Sequence, residues 1–121
     1  MGKRMLTGSF VALITPFQAD GAPDIEGFGR LIEFQARNGT GALLIMGSTG
    51  EVSLLTKEER HRVITETIRF KRHGLPLFYG CTANNTQETI AMVRYAARAG
   101  ADGAVVTAPS YAYAPVDAAL Q

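Results

Sequence analysis

The chain of 121 residues has little of several features that would place it in a special class of proteins. Its single cysteine, Cys81, excludes an internal disulfide and a cysteine-rich zinc site, and this predicts a reducing compartment such as the cytoplasm. No apolar run approaches the roughly 20 residues of a membrane-spanning helix. A formal net charge of +1 without a basic cluster argues against a nucleic-acid partner.

The composition is typical of a folded domain. Hydrophobic residues make up 46% of the chain and charged residues 19%, and the sequence has no low-complexity tract, so disorder is not expected. The length suits one domain or part of one. The apolar run Phe10–Ile14 is too short for a signal peptide and Pro16 closes it, so we interpret it as a first strand.

Short apolar runs alternate with amphipathic stretches along the chain. Four runs predict buried strands: Phe10–Ile14, Ala42–Met46, Leu77–Cys81 and Ala104–Thr107. Between the runs, apolar residues recur at helical spacing in three stretches. The predicted order is therefore βαβαβαβ, which indicates a parallel sheet covered by helices on at least one face.

Capping residues mark the ends of the three predicted helices. Asp24, Thr56 and either Asn85 or Thr86 precede the helices, and Thr56 with Glu59 has the spacing of a capping box. A glycine that can adopt a left-handed conformation follows each helix: Gly39, Gly74 and Gly100.

Two architectures fit this pattern, a doubly wound sheet and a (β/α)₈ barrel. The dinucleotide-binding fingerprint is missing, because Gly39 and Gly41 precede a strand and Leu44 stands in the place of the third glycine. The sequence has no phosphate-binding loop either. A complete barrel needs about 250 residues. If the fold is a barrel, this chain therefore contains about the first four of its eight βα units.

Hydroxyl and amide side chains follow each predicted strand. They lie in the segments Thr15–Pro16, Gly47–Glu51, Thr82–Asn85 and Thr107–Tyr111. Because the carboxyl ends of parallel strands meet at one edge, we expect a small, oxygen-rich ligand there. In the second segment, Gly47 and Gly50 allow a tight turn.

The hydroxyls of Ser48 and Thr49, with the N–H groups of that turn, suit a carboxylate. An ordinary βα loop is the alternative interpretation.

Tyr111 and Tyr113 are candidates for proton relays or packing groups. His61 and His73 lie among charged residues, which is typical of a solvated face, so no metal site is predicted. Cys81 is expected to be a small core residue.

Four further motifs accompany the Gly47–Glu51 loop along the chain. These are Ser9–Phe17, Leu55–Arg60, Ala83–Thr89 and Ala99–Gly103. Together the five segments resemble the dihydrodipicolinate synthase and N-acetylneuraminate lyase family over nearly the whole chain. The Asn84–Thr86 stretch is more similar to the dihydrodipicolinate synthases, whereas the loop suits both branches.

The resemblance implies a (β/α)₈ barrel, of which residues 1–121 form the N-terminal half of a single domain. It implies a cytoplasmic lyase of the class I aldolase type, in which a lysine forms a Schiff base with pyruvate or a related 2-keto acid. By resemblance, Gly47, Ser48, Thr49 and Gly50 bind the pyruvate carboxylate, and Ser48 and Tyr111 are catalytic in a proton relay. The resemblance implies no cofactor or metal. It does imply that the protein forms a homodimer or a homotetramer.

The Schiff-base lysine of the family lies on a later strand than this chain contains. A substitute must be held neutral in a pocket, and Lys3, Lys57 and Lys71 lie in charged or terminal surroundings. We therefore expect the 121-residue chain alone to be inactive. Pro115–Gln121 resembles the beginning of a helix, so more chain is expected after it. The alternatives are a neuraminate lyase-like or other keto-acid aldolase, and a non-catalytic half-barrel that assembles with a partner.

Overall fold

The structure of the chain is a computed structural model, and it describes residues 5–109 and residue 115. Its four strands are β1 (Phe10–Ala12), β2 (Ala42–Ile45), β3 (Leu77–Gly80) and β4 (Gly103–Val105). Its α-helices are α1 (Ile25–Arg37), α2 (Lys57–Thr67) and α3 (Thr86–Ala99). Two 3₁₀ helices span Val52–Leu54 and Ile68–His73. The predicted alternation of strands and helices is confirmed.

The four strands form one parallel sheet in the order β1-β2-β3-β4. A doubly wound sheet reverses its strand order at a switch point, whereas a barrel adds each strand beside the preceding one. Helix α2 packs against both α1 and α3, so the helices follow one another beside the sheet. This is the arrangement of successive units of a (β/α)₈ barrel, and the doubly wound alternative is wrong.

The strands are one or two residues shorter at their carboxyl ends than predicted. At β2 the cause is Met46, whose φ of 59° turns the backbone out of the extended conformation. The prediction that all four strands are buried is wrong for β1 and β4, which are half-buried or exposed. These are the edge strands of the described sheet, so each has a strand neighbour on one side alone.

Each helix begins at the predicted capping residue. Asp24 accepts a hydrogen bond from the Gly27 N–H at 2.9 Å, and Asn85, not Thr86, caps α3. At α2 the capping box is complete: Glu59 N–H donates to Thr56 Oγ1 at 3.1 Å, and Thr56 N–H donates to Glu59 Oε2 at 2.8 Å. Within the described residues, no helix is long and apolar enough to cross a membrane.

The hydrophobic core lies between the sheet and its helices. Leu43 on β2 and Leu77 on β3 are fully buried, as is Tyr79. The Tyr79 hydroxyl lies 2.8 Å from Thr67 Oγ1, and burial raises the pKa of Tyr79 to about 12. On the opposite face of the sheet Phe10 is 48% exposed. The packing thus fixes one face of the sheet against the helices and leaves the opposite face partly exposed at Phe10.

Replacing Thr56 by alanine removes the acceptor of the capping box. We expect T56A to lower the free energy of unfolding by about 1 kcal/mol, because the Glu59 N–H loses its side-chain partner. Urea unfolding followed by circular dichroism measures this change. T56S keeps a hydroxyl and serves as the control; an equal loss in both variants would contradict the capping role.

Candidate active site

A cavity of about 850 Å³ lies at the carboxyl ends of β2, β3 and β4. Polar side chains supply much of its lining, and they include Ser48, Ser53, Thr82, Asn84, Glu88 and Thr107. The predicted gathering of hydroxyl and amide groups at this edge of the sheet is therefore confirmed for the ends of β2, β3 and β4. The apolar part of the lining includes Val52, Met92 and Tyr95.

The Gly47–Glu51 loop folds into two overlapping turns directly after β2. Gly50 N–H donates to the Gly47 carbonyl and Glu51 N–H donates to the Ser48 carbonyl, each at 3.0 Å. The backbone is left-handed on both sides of these turns, at Met46 (φ 59°) and at Glu51 (φ 56°). Such conformations in residues other than glycine are strained by about 1–3 kcal/mol each and cluster at functional sites.

The hydrogen-bond donors of Ser48 and Thr49 are free. Both residues are exposed, and within the described residues neither their backbone N–H groups nor their hydroxyls donate a hydrogen bond. Gly47 and Ser48 line the cavity, whereas Thr49 lies outside its lining and Gly50 is buried. The turn thus offers four neighbouring donors, a pattern that suits an anion.

A buried hydroxyl at the end of β1 holds this turn. Thr15 Oγ1 donates to the Gly50 carbonyl at 2.6 Å, and Thr15 is 5% exposed. The sequence marked Thr15 as one of the polar residues after a strand, but it gave no sign that this hydroxyl faces the turn after β2.

Gly80 on β3 is not among the site residues predicted from the sequence. A Cβ atom on Gly80 would lie 1.8 Å from the carbonyl oxygen of Met46, a distance that no side chain allows. Only a glycine at position 80 therefore allows the backbone after β2 to pass this close to β3. A glycine at the end of an apolar strand is the signal that could have found it.

Arg60 on α2 reaches the end of β3. Its Nη2 atom donates to the Thr82 carbonyl at 2.8 Å, and the residue is 9% exposed. Burial lowers the pKa of Arg60, while Cys81 and Glu88 act in the opposite direction. The Thr107 N–H donates to Thr82 Oγ1 at 2.9 Å and joins the ends of β3 and β4.

The sequence predicts a solvated face for His61, and the structure shows the residue half-buried on α2. His61 lines the cavity and stacks on Tyr95 of α3, with ring centroids 4.0 Å apart. Burial, with Lys57 next in effect, lowers the pKa of His61. This contact joins two helices distant in sequence, and helical spacing within α2 alone does not reveal it.

Two further sequence predictions have different outcomes. Cys81 is fully buried, as predicted for a core residue, and burial raises the pKa of its thiol to about 11. At neutral pH this thiol is protonated and a poor nucleophile.

Tyr111 and Tyr113 lie outside the described residues. In the described part of the chain, no group of three histidine, cysteine or acidic side chains is placed to hold a metal ion.

Replacing Gly80 by alanine tests the close approach of β3 to Met46. We expect G80A to lower the free energy of unfolding by about 3 kcal/mol, because the backbone must shift to admit the methyl group. The amide NMR signals of Ser48 and Thr49 should move with it. The control is G47A, whose added Cβ meets a flexible Leu44 side chain at 2.9 Å. A smaller loss in G80A than in G47A would contradict this account.

A family model described as the dihydrodipicolinate synthetase family matches residues 5–119. The chain is 40% identical over 111 residues to 4-hydroxy-tetrahydrodipicolinate synthase of Gluconacetobacter diazotrophicus, covering 92% of this chain and 37% of that protein. It is 42% identical over 107 residues to the enzyme of the same name from Sulfurihydrogenibium, covering 88% of this chain and 36% of the relative. The chain thus spans little more than a third of these relatives' length.

Solved structures of dihydrodipicolinate synthases match the fold of this chain. A crystal structure of dihydrodipicolinate synthase from Aquifex aeolicus matches with a TM-score of 0.81 and 43% identity, over 86% of this chain and 35% of that one. The chloride-inhibited enzyme from Acinetobacter baumannii, complexed with pyruvate, matches with a TM-score of 0.88 and 35% identity, over 95% of this chain and 40% of that one. With agreement in both sequence and fold, the chain belongs to the dihydrodipicolinate synthetase family.

Proposed function

We propose that this chain supplies the pyruvate-binding part of a Schiff-base-forming lyase of the dihydrodipicolinate synthase type. The complete enzyme condenses pyruvate with an aldehyde such as aspartate semialdehyde in lysine biosynthesis. In this proposal residues 1–121 form the N-terminal half of a single (β/α)₈ domain. The observation that carries it is the exposed turn at Ser48 and Thr49, whose donors have no partner within the described residues.

The turn suits one end of a 2-keto acid. A carboxylate accepts several hydrogen bonds, and the N–H groups and hydroxyls of Ser48 and Thr49 are grouped closely enough to donate them. Gly47 and Gly50 allow the backbone of this segment to turn tightly. Ser48 also lines the cavity, which leaves its hydroxyl near the space where the keto group would lie. A pyruvate complex is known for the relative from Acinetobacter baumannii.

The proton relay is the second part of this proposal. We assign it to Ser48 and Tyr111, with Tyr111 carried over from the family resemblance. A hydroxyl relay moves a proton between the reacting atoms and solvent without a cofactor, and we propose none.

The Schiff-base lysine belongs to another part of the complete enzyme. An amine attacks a ketone only when it is neutral, which requires burial or a cationic neighbour. Lys57 is exposed in the first turn of α2, and Lys71 pairs with Asp102 at 3.0 Å. Neither is suited to the role, so the 121-residue chain alone is expected to be inactive.

The remaining features of the proposal concern partners and location. We propose pyruvate or a related 2-keto acid as the ligand, a homodimer or homotetramer as the complete enzyme's assembly, and the cytoplasm as its location. A monomeric dihydrodipicolinate synthase variant is among the solved structures that match, with 32% identity. A neuraminate lyase-like or other keto-acid aldolase would use the same carboxylate turn.

One observation favours a second candidate function, a non-catalytic half-barrel that assembles with a partner. Phe10, Ile14 and Val106 are 48%, 56% and 50% exposed. These large apolar side chains lie on or just after β1 and β4, the edge strands of the described sheet, and their exposure there indicates edges that another chain or domain covers.

Pyruvate titration of the 121-residue chain tests the primary proposal. We expect pyruvate to shift the amide NMR signals of Ser48 and Thr49, and acetone, which lacks the carboxylate, to leave them unchanged. The double variant S48A/T49V should weaken binding about tenfold or more, because hydrogen bonds to a charged group contribute about 1.5–3 kcal/mol each.

Borohydride trapping provides the matching covalent readout. Intact mass after incubation with pyruvate and borohydride should stay near 13.0 kDa, with no adduct. A pyruvate adduct on Lys57 or Lys71 would overturn the assignment of the Schiff base to another part of the enzyme. Shifts confined to residues outside the turn would overturn the carboxylate site.

A further inference from the structure

The face of the sheet that points away from the helices is apolar at every strand position. Side chains alternate between the two faces along a strand, and the register of the sheet puts two residues of each strand on this face. We call these eight residues the inner face: Phe10, Ala12, Ala42, Leu44, Phe78, Gly80, Gly103 and Val105. None of the eight is charged or polar, and Phe10 is 48% exposed. Apolar surface of this kind requires a cover.

The two edge strands of the sheet match each other in length and direction. Strands β1 and β4 each have three residues, and in the described sheet each pairs on one side alone. The three existing ladders are parallel and have three Cα pairs each, so β4 and β1 have the length of a fourth such ladder. A closed barrel of this class has eight parallel strands, twice the number in the described sheet.

A twofold axis along the barrel would use both edges at once. It places β4 of each copy beside β1 of the other copy, and all eight strands then run in the same direction. Both new ladders are parallel, as are the three within the chain. No unpaired edge remains, which removes the surface that invites indefinite strand pairing.

The side chains of the inner face have the sizes that such a closure needs. A barrel interior is filled in layers, and each layer takes side chains from alternate strands. Phe10 and Phe78 come from β1 and β3 and share a layer, since their ring centroids lie 5.1 Å apart. By the same stagger, Ala42 and Gly103 share the adjacent layer. The Phe78 ring already occupies the place of a Cβ on Gly103, at 2.3 Å.

Two copies therefore combine a layer of four phenylalanines with a layer that contains alanine and glycine alone. The small layer leaves room for the rings of the large one, as close packing requires. We propose that a second copy of this chain covers the inner face, so that two copies close one eight-stranded barrel. This inference rests on the second candidate function, the half-barrel that assembles with a partner, and it names that partner.

Light scattering coupled to size-exclusion chromatography of the 121-residue chain tests the assembly. We expect one species with twice the 13.0 kDa mass of the chain, because twofold closure leaves no edge for a third copy. A ladder of larger species would show open strand pairing and overturn the proposal. A monomer at every concentration would overturn it too, and would leave the inner face to later strands of the complete enzyme.

Contacts between copies identify the surface that is used. In the closed barrel, Val105 of one copy shares a layer with Leu44 of the other, because β4 and the second copy's β2 are alternate strands. In a mixed sample of isotope-labelled and unlabelled chains, we expect filtered nuclear Overhauser effects between the methyl groups of these two residues. A dimer without such contacts would keep the half-barrel candidate and overturn the closed barrel.

A matched pair of lysine variants tests the inner face. F10K places an unpaired charge inside the closed barrel, and we expect it to weaken dimerisation about 100-fold or more. F34K makes the same change at a phenylalanine that is 59% exposed on α1, outside the inner face, and it should leave the dimer constant within about twofold. Equal effects of the two variants would contradict the proposal.

A further variant covers the case in which F10K does not fold. Ala12 is exposed on β1, so A12D should fold as a monomer and dimerise about 100-fold more weakly or not at all. Unchanged dimerisation of A12D would overturn the proposal. The S48A/T49V variant should keep the dimer mass, and F34K should keep the pyruvate shifts at Ser48 and Thr49. A monomer with these shifts counts against the assembly alone, whereas a dimer without them counts against the carboxylate turn alone.

Discussion

The close approach between β3 and the backbone after β2 determines the rest of the site. The carbonyl oxygen of Met46 occupies the space where any side chain on Gly80 would stand. With the chain held there, Met46 adopts its left-handed conformation, β2 ends, and the next residues fold into the tight turns that present Ser48 and Thr49. A parallel sheet brings its strand ends to one edge, but this contact decides which atoms face the cavity.

Two different kinds of donor face one cavity. The turn after β2 presents backbone N–H groups and hydroxyls, which carry partial charges and discriminate by direction. Arg60 presents a full charge in a buried position, where Coulomb interactions are stronger than in water. The first arrangement suits a carboxylate through the direction of its donors, as proposed above, whereas a full charge acts with less dependence on direction.

Much of the fold could be predicted because it depends on local sequence. Apolar runs, capping residues and the capping box at Thr56 and Glu59 act over a few positions, and their predictions are confirmed. The Ser48–Thr49 turn was also visible, because glycines and hydroxyls follow a strand. The atom that Gly80 meets and the stacking of His61 depend on packing between distant segments, which no local pattern encodes. The exposure of β1 and β4 likewise depends on which strands stand beside them.

The hydrogen bond from Thr15 to Gly50 has a thermodynamic consequence for binding. It joins the end of β1 to the turn after β2 beyond the last paired residues of the sheet, and it is buried. The turn is thus preorganised, with its donors aligned before a ligand arrives. Little conformational entropy is lost when a carboxylate binds to such a turn, so the small ligand proposed above would need few other contacts to be selected.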